Sequence, residues 1–566
     1  MENIKQKIAG IISENLSELE LSEIEGMLEI PTDASMGDYA FPCFKLAKIM
    51  HKAPQMIAAE LAEKIRGSEL FEKVENVNAY VNLFMSRVAF AKLTLGAVSE
   101  EKERYGSSDK GKGKTVIVEY SSPNIAKPFH IGHIRSTVIG NSIGKIYSFI
   151  GYKVERINHL GDYGTQFGKM ITAYRHWGKE EDVKNDPIKT LLSYYVKFHQ
   201  EAENDPALEE EARRTFYNLE HGAEEETKLW QWFREESLKE FNRVYNMLGI
   251  EFDSYAGESF YSDKMPAVLD ELRDKGLLKE SEGAQIVDLE EYGLTPALIT
   301  KSDGTSLYIT RDIAAALYRK AHYDFEKCIY VVASQQNLHF QQWFKVLELM
   351  GRDWYKDCVH IPFGLVSLED GTMSTREGRV VFLEDVLNGA VEKTREIVLE
   401  KGVNTDDIDE TAKTVGIGAV VFNELSNGRI KDYTFSWDKV LNFDGETGPY
   451  VQYTHARAAS VLRNAGSFDA SNVNWDAIKG ESAYELIKLI YRFPETVLDA
   501  AEKYEPSVVT RHIVDVAQAF NKFYHDEHII VPDEAEKNAK LMLTAAAKQV
   551  IANGLALLGV KAPEKM

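Results

Sequence analysis

A chain of 566 residues is longer than one hydrophobic core usually supports, so we expect two to four domains. Its 44% hydrophobic and 27% charged residues are typical of a globular protein, and no apolar run is long enough to span a membrane. The net charge of −23 argues against indiscriminate binding of polyanions, because phosphates would be repelled at long range. Any contact with RNA must therefore use local basic patches.

The N-terminal residues MENIKQKIAG lack the basic and apolar pattern of a secretory signal. The three cysteines, Cys43, Cys328 and Cys358, are far apart and form no CxxC pair. This spacing argues against a disulfide scaffold and against a cysteine-rich zinc module. We therefore expect a cytoplasmic protein with no structural metal.

The first segment combines helical stretches such as IKQKIAGIISENL with a β-like run, NAYVNLFM. A small, charged stretch, GSSDKGKGK at residues 106–114, follows and is typical of a linker. These patterns predict a separate N-terminal α/β domain over residues 1–110.

The next elements predict the beginning of a doubly wound α/β sheet. TVIVEY (115–120) has the continuous apolar character of a buried parallel strand, and residues 121–128 read as a loop. Ile134, Val138 and Ile146 lie at helical spacing, which predicts a helix that begins near His130. YKVERIN (152–158) is again like a strand. Ligands of such sheets bind at the carboxyl ends of the strands.

Further strands are predicted at SLYIT (306–310), CIYVVA (328–333) and VHIPFGLV (359–366). Residues of about 170–290 are charged and mostly helical with short strands, which indicates an insertion into the sheet. Beyond about residue 405 the pattern is helical almost throughout. We therefore predict a Rossmann-like parallel-sheet domain over residues 111–430 and an all-helical C-terminal domain over residues 431–566.

The window EYSSPNIAKPFHIGHIRSTVIGNSIG (119–144) places His130, Gly132 and His133 where the first strand of the sheet leads into its helix. A helix start offers free backbone N–H groups and a positive dipole end, which suit triphosphate oxygens. Gly132 allows close approach of a ligand to the backbone. Two histidines three residues apart can donate hydrogen bonds to an α-phosphate as negative charge develops there. A helix start can also carry histidines for packing alone.

This window resembles the HIGH motif of class I aminoacyl-tRNA synthetases, and SSPNIAKPFHIGHIRS resembles the arginyl members of that class. Four later segments resemble the same family in matching order: NHLGDYGTQFG (158–168), SLYITRDIAAA (306–316), YVVASQQNLHFQQ (330–342) and GPYVQYTHAR (448–457). The resemblance covers essentially the entire chain.

The resemblance implies an N-terminal domain that contacts the tRNA elbow, a catalytic domain with an insertion, and a helical anticodon-binding domain. It also implies ATP with Mg²⁺, L-arginine and the tRNA for arginine as partners, in a monomer without membrane attachment. In such a reaction the arginine carboxylate attacks the α-phosphate of ATP, and a ribose hydroxyl of the tRNA then attacks arginyl-adenylate.

The second motif of this class, the lysine-rich KMSKS loop, is altered in GTMSTREGRVV (371–381). Met373 and Ser374 are retained for ATP binding, but threonines replace the lysines and Arg376 is the nearby cation. A missing cation removes charge stabilisation from the leaving pyrophosphate. Arginyl members without this lysine resemble the present chain in having a lysine just before HIGH, and Lys127 occupies that position. Its alternative interpretation is a solvated loop lysine.

Recognition of arginine needs carboxylates, because a planar guanidinium is matched by bidentate acidic partners. The resemblance places five residues in the arginine pocket: Glu119, Asn124, Tyr308, Asp312 and Gln336. Two structural alternatives stay open, because Glu119 could pair with a neighbouring basic residue and Asp312 could cap a helix.

Contacts with tRNA are predicted for Tyr450 and Tyr453, which could stack on anticodon bases, and for Tyr80 and Asn82 at the elbow. Packing in a helical core is an equal contender for Tyr450 and Tyr453. Two other functions also remain open. A class I synthetase for another amino acid fits the paired acids poorly, and a catalytically silent paralogue that binds RNA or senses arginine would not need both histidines.

Overall fold

The computed structural model describes residues 4–301, 308–368, 381–400, 402, 405–442 and 445–566. The chain forms two compact units. The first contains Met1–Tyr105, Ala458–Phe493 and Asp515–Ile551, and the second contains Gly106–Arg457, Pro494–Val514 and Ala552–Met566. None of the helices within the described ranges is both long and apolar enough to cross a membrane.

The N-terminal part of the first unit packs helices around a three-stranded antiparallel sheet with the strand order β1-β3-β2. The predicted strand NAYVNLFM is confirmed as β3. Its elements are α1 Ile4–Asn15, α2 Leu21–Met27, β1 Tyr39–Pro42, α3 Phe44–Met50, α4 Pro54–Ile65, β2 Phe71–Val77, β3 Tyr80–Met85 and α5 Arg87–Glu101.

The following elements lead from the first parallel strand to the last. They are β4 Thr115–Glu119, α6 Ile134–Phe149, β5 Lys153–Ile157, α7 Thr165–Trp177, α8 Glu180–Asn185, α9 Pro187–Ala202, α10 Ala207–Glu220, α11 Glu224–Leu248, α12 Met265–Asp274, β6 Leu278–Ser281, β7 Ala284–Val287, β8 Ala297–Thr300, α13 Tyr308–Tyr323, β9 Lys327–Ala333, α14 Asn337–Leu349 and β10 Cys358–Phe363.

Strands β10, β9, β4 and β5 form a parallel sheet in that order. The predicted strands TVIVEY, YKVERIN and CIYVVA are thereby confirmed. Strand β4 pairs on one side with β5, which follows it in the chain, and on the other side with β9. The strand order therefore reverses between β4 and β9. A doubly wound sheet binds its ligands at the carboxyl ends of the strands at such a reversal. Glu119 and its partner Tyr330 mark this end of the sheet.

Helix α6 lies very close to β4, and Gly140 permits this approach. A Cβ atom at Gly140 would lie 2.2 Å from the Cβ atom of Tyr120, which no packed side chain tolerates. The helix that follows the histidines is therefore held against the strand that precedes them.

The segment between β5 and β9 is mostly helical, as the sequence predicted, and it adds an antiparallel sheet of the order β6-β7-β8. Its helices enclose an apolar cluster that includes Ile171, Leu191, Phe198 and Phe233. The helical character and the short strands of the predicted insertion are both present.

The prediction of a strand at SLYIT was wrong, because Tyr308, Ile309 and Thr310 form the first turn of α13. Ser306 and Leu307 lie outside the described residues. A short apolar run cannot by itself distinguish a strand from a buried helix. The deciding pattern continues past the motif, since Ile309, Ile313 and Ala316 are buried at the helical spacing i, i+4 and i+7.

The described residues after β10 are mainly helical, and they include two short paired strands, β11 and β12, which are parallel to each other. VHIPFGLV therefore contains two strands, β10 and β11, rather than one. The remaining elements are β11 Val366–Leu368, α15 Leu383–Glu400, α16 Ile408–Ser426, β12 Tyr433–Phe435, α17 Trp437–Val440, α18 Gly448–Ala465, α19 Glu481–Lys503, α20 Ser507–Asp526 and α21 Glu534–Leu557.

Candidate active site

The two histidines of the HIGH window form a reciprocal cap at the start of α6. Residues Ile131–His133 make a 3₁₀ turn that leads directly into the helix. The backbone N–H of Gly132 donates to Nδ1 of His130 at 3.1 Å, and the backbone N–H of His130 donates to Nδ1 of His133 at 3.1 Å. Because a backbone N–H can only donate, Nδ1 of His130 acts as an acceptor and its ring proton lies on Nε2. Nδ1 of His133 also lies 3.2 Å from the carbonyl of His130, so its surroundings fit either tautomer.

Both histidines are neutral at pH 7. Burial lowers the pKa of His130 to about 4. Burial also lowers the pKa of His133 to about 3, and the neighbouring His130 contributes to this shift. The two ring centroids lie 4.0 Å apart, so two positive charges here would repel each other. The neutral ring of His130 therefore offers an Nε2–H donor.

The loop before the histidines contains three non-glycine residues with positive φ, a conformation that costs roughly 1–3 kcal/mol at each position. Each of these residues has its backbone N–H held by a polar side chain from another element: Ser121 by Oγ of Ser136 at 2.9 Å, Ser122 by Oδ1 of Asn158 at 3.2 Å, and Ala126 by Oγ of Ser237 at 2.8 Å. The loop that carries Asn124 and Lys127 is thus fixed in an unusual conformation by its surroundings.

The chain that follows the predicted second motif pairs with the histidine turn. The N–H of Ile131 donates to the carbonyl of Val381 at 3.1 Å, and the N–H of Leu383 donates to the carbonyl of Phe129 at 2.9 Å. His130 and Phe382 form an antiparallel bridge. Met373, Ser374 and Arg376 themselves lie outside the described residues.

Lys127 is half-buried and makes specific contacts. Its Nζ donates to Oε1 of Gln166 at 3.2 Å and lies 5.4 Å from the ring centroid of Tyr195. These contacts argue against a solvated loop lysine. They restrict the ammonium group of a residue that lies three positions before His130 in the chain.

Glu119 is buried at the end of β4 and pairs with a basic residue of α13. Its Oε2 lies 2.5 Å from Nη1 of Arg319, and Nη2 of Arg319 lies 3.3 Å from Nδ1 of His159. This ion pair is the one that the alternative interpretation of Glu119 predicted. An arginine substrate would therefore have to share Glu119 with Arg319.

Asp312 is the fifth residue of α13, and its Oδ2 lies 2.5 Å from Nε2 of His339 on α14. The interpretation of Asp312 as a helix cap is wrong, because a capping residue precedes the first turn. Tyr308 lies one turn earlier on the same face and is 63% exposed. Gln336 is exposed and ends the turn between β9 and α14.

Asn124 is exposed and lies in the loop after β4, where it forms a parallel bridge with Gly161. The structure therefore groups Tyr308, Asp312 and Gln336 around the carboxyl end of β9. It places Glu119 and Asn124 on the side of β4.

No motif or periodicity predicted Glu258, a further carboxylate near Asp312. Its Oε2 lies 2.9 Å from Nη1 of Arg311. Burial raises the pKa of Glu258 to about 7, and the charges of Asp312 and Asp162 add to this shift while Arg311 opposes it. Glu258 precedes α12 without any periodic or motif context, so only the folded chain brings it to the site.

The residues predicted to contact tRNA differ in accessibility. Tyr453 is 40% exposed and lies 4.9 Å below the guanidinium of Arg457, while Tyr450 is half-buried. Tyr80 packs edge-to-face on exposed Phe44 with ring centroids 5.4 Å apart. Asn82 is only 3% exposed and its amide contacts Sδ of Met36 at 3.6 Å, so a contact with RNA requires Met36 to move.

A parallel sheet with a histidine turn at its reversal point is the catalytic fold of class I aminoacyl-tRNA synthetases, and the family profile described as "tRNA synthetases class I (R), catalytic domain" matches residues 94–437. Profiles for the "Arginyl tRNA synthetase N terminal domain" and the "DALR anticodon binding domain" match residues 2–85 and 451–566. The chain is 60% identical over 566 residues to an arginine–tRNA ligase of Clostridioides difficile and 57% identical to one of Halothermothrix orenii, with both chains fully covered in each case. It belongs to the arginine–tRNA ligase family.

Solved structures agree with this assignment. The arginyl-tRNA synthetase of Thermus thermophilus is 26% identical, with a TM-score of 0.80 over 99% of this chain and 100% of that one. The arginyl-tRNA synthetase of Plasmodium falciparum is 25% identical, with a TM-score of 0.77 over the full length of both chains.

Proposed function

We infer that this chain joins L-arginine to its tRNA with ATP, through arginyl-adenylate. The arginine carboxylate attacks the α-phosphate and pyrophosphate leaves; a ribose hydroxyl of the tRNA then attacks the activated carboxyl and AMP leaves. The observation that carries this inference is the His130–His133 turn at the reversal point of the sheet, in a chain 60% identical to an arginine–tRNA ligase.

His130 and His133 are proposed to stabilise the negative charge that develops on the α-phosphate, and Gly132 to let the nucleotide approach the turn. This role is supported by the Nε2–H of His130 and by the two neutral rings, whose positions are fixed before ATP arrives. One preorganised donor of this kind typically contributes about 100-fold to 1,000-fold to the rate.

Lys127 is proposed to replace the missing loop lysine and to neutralise the leaving pyrophosphate. Its contacts with Gln166 and Tyr195 support this role, because they restrict a side chain that would otherwise be mobile. Met373, Ser374 and Arg376 stay proposed as further ATP contacts.

The arginine pocket is proposed to contain Glu119, Asn124, Tyr308, Asp312 and Gln336, with Glu258 as an additional carboxylate. The support is chemical, since Asp312 and Glu258 are carboxyl groups close enough to interact electrostatically and a guanidinium requires such acceptors. Tyr80, Asn82, Tyr450 and Tyr453 stay proposed as tRNA contacts.

The remaining proposals concern the setting of the reaction. We propose that ATP enters as its magnesium complex, in which phosphate oxygens and water molecules provide most of the ligands of the metal ion. A cytoplasmic location is supported by three free, buried cysteines, which fit a reducing compartment. The monomeric state and the domain limits near residues 110 and 430 also stay predictions.

The test is an aminoacylation and pyrophosphate-exchange assay over all amino acids, with and without tRNA. We expect activity with arginine and with no other amino acid. We also expect the pyrophosphate exchange to need tRNA, as it generally does in the arginyl family. Charging of another amino acid would contradict the proposed pocket. Binding of tRNA without charging would favour the catalytically silent paralogue.

A further inference from the structure

Two residues after His133, the side chain of Arg135 is completely buried and faces a buried carboxylate. Nε of Arg135 lies 3.6 Å from Oε2 of Glu424 on α16, and neither side chain is exposed to solvent. Burial raises the pKa of Glu424 to about 8, and Arg135 opposes this shift. At 3.6 Å the two groups attract each other without a hydrogen bond.

The guanidinium of Arg135 joins its own helix, α6, to two other segments of the second unit. Nη1 donates to the carbonyl of Gly364 at 3.1 Å and to the carbonyl of Lys431 at 2.6 Å. Gly364 lies in the link between β10 and β11, and Lys431 lies just before β12. The side chain of Arg135 therefore ties the start of α6 to the paired strands β11 and β12.

The two carbonyl acceptors of Arg135 belong to a rigid junction. The N–H of Gly364 donates to the carbonyl of Arg429 at 2.8 Å, and the N–H of Tyr433 donates to the carbonyl of Leu365 at 3.1 Å. A Cβ atom at Gly364 would lie 2.7 Å from the carbonyl oxygen of Ile430, so the two segments approach as closely as only glycine allows.

Stability alone gives no reason for a charge at this position. Among the residues that the structure describes, Nε and Nη2 of Arg135 and both carboxylate oxygens of Glu424 have no hydrogen-bond partner. A buried ion pair with such incomplete bonding is often no more stable than an apolar replacement of similar volume. The hydrogen bonds of Arg135 have a more specific effect than any gain in stability, because they fix the positions of Gly364 and Lys431 relative to α6.

We propose that Arg135 is a positioning residue, which fixes the His130–His133 turn against the junction of β11 and β12. This inference rests on the proposed role of the two histidines at the α-phosphate. Displacement of a preorganised donor by about 1 Å can lower a rate about 100-fold.

The test compares Arg135→Met and Arg135→Lys by single-turnover charging of tRNA at saturating ATP and arginine. This rate constant does not depend on the fraction of folded enzyme. We expect a fall of about 30-fold to 100-fold for Arg135→Met, with less than about a threefold change in the KM for ATP. Arg135→Lys should recover part of the rate, because an ammonium can reach one carbonyl but lacks the planar fork.

Glu424→Gln should lower the rate less than Arg135→Met does, because the two carbonyl bonds of Arg135 remain. Val415→Ala is the matched control, since Val415 is fully buried on the same helix as Glu424. We expect it to lower the thermal midpoint and leave the rate constant unchanged.

A wild-type rate constant in Arg135→Met would overturn the inference, whatever its thermal midpoint. An equal loss of rate in Val415→Ala would also overturn it, because general destabilisation would then be sufficient. Where Arg135→Met does not fold, Arg135→Lys replaces it as the test. We expect its rate constant to be below that of the wild type, and a wild-type rate constant would overturn the inference. An unchanged rate in His130→Ala would instead contradict the proposed role of the histidines.

Discussion

Asp312 on α13 and His339 on α14 are joined by a contact of 2.5 Å between Oδ2 and Nε2. The two helices lie on either side of β9 in the chain, so this contact connects them at the carboxyl end of that strand. A carboxylate held in this way has a restricted rotamer before any ligand arrives. We therefore expect Asp312 to be a preorganised acceptor for a guanidinium.

Asp312→Asn should raise the KM for arginine at least about 100-fold, because a guanidinium without its bidentate partner loses several kcal/mol of binding free energy. The KM for ATP should change little. Both constants are measured by tRNA charging. Asp270→Asn on α12 is the surface control, since its carboxylate pairs only with exposed Arg273 among the described residues. Normal charging by Asp312→Asn at ordinary arginine concentrations would remove Asp312 from the pocket.

Lys127→Ala should slow the formation of arginyl-adenylate by about 100-fold, the effect of losing one preorganised cation in the transition state. The affinity for ATP should stay nearly constant. Lys169→Ala is a close control, because Lys169 is also half-buried and lies 5.5 Å from the ring of Phe198. An unchanged adenylation rate would leave Arg376 as the candidate cation.

The affinity for arginine should rise with pH around pH 7. Burial raises the pKa of Glu258 to about 7, so at lower pH the carboxyl is protonated and must release its proton to bind a guanidinium. The KM for arginine should therefore increase up to about tenfold per pH unit on the acid side. Glu258→Gln should abolish this dependence and leave the KM for ATP unaffected. A Gln variant with the wild-type pH profile would show that another group titrates.

Acid should destabilise the wild-type protein partly through its two capping histidines. Their folded pKa values, about 4 and about 3, are below the ordinary value of 6.5, so the unfolded chain binds protons that the folded chain cannot. The stability that they contribute is complete above about pH 6.5 and is lost as the pH falls toward 4. Between pH 7 and pH 5 the thermal midpoint of His130→Gln should fall by about 2 to 4 °C less than that of the wild type.

The exposed His525 supplies the control for this experiment, because 89% of its side chain is accessible. His525→Gln should follow the wild-type curve. Parallel curves for His130→Gln and the wild type would mean that folding does not lower the pKa of His130, so that its ring is charged at pH 5 in the folded protein.

A chain that ends at residue 440 should fail to form a stable second unit. Two side chains of α6 bind the later part of the chain: Oγ of Ser142 donates to the carbonyl of Leu557 at 2.9 Å, and the hydroxyl of Tyr147 donates to the carbonyl of Ala501 at 3.1 Å. The measurement is a thermal melt of the shortened protein beside the full chain. A cooperative melt at the full-chain midpoint would show that residues 106–440 are an independent domain.

The parallel sheet and the histidine turn could be predicted because their signals are local. TVIVEY and CIYVVA are continuous apolar runs with β-branched residues, and HIGH follows the first of them after a short loop. Tyr308 was assigned to the wrong element because its short apolar run fits both a strand and a helix. Glu258 and the pair of Arg135 with Glu424 could not be predicted, since their partners lie 53 and 289 positions away in the chain and only tertiary packing brings them together.

The ion pair of Arg319 with Glu119 places a guanidinium of the protein itself beside the carboxylate at the end of β4. A bare buried carboxylate would attract sodium, lysine or any other small cation. Here its charge is neutralised in advance, so a competing ammonium, which offers only a point charge, gains little by approaching it. A planar guanidinium can donate several N–H groups to carboxylates, although not to Arg319, which has no acceptor atom. On the proposed assignment of Glu119 to the arginine pocket, this ion pair would discriminate among cations before the substrate binds, because Glu119 already carries a guanidinium like that of the substrate.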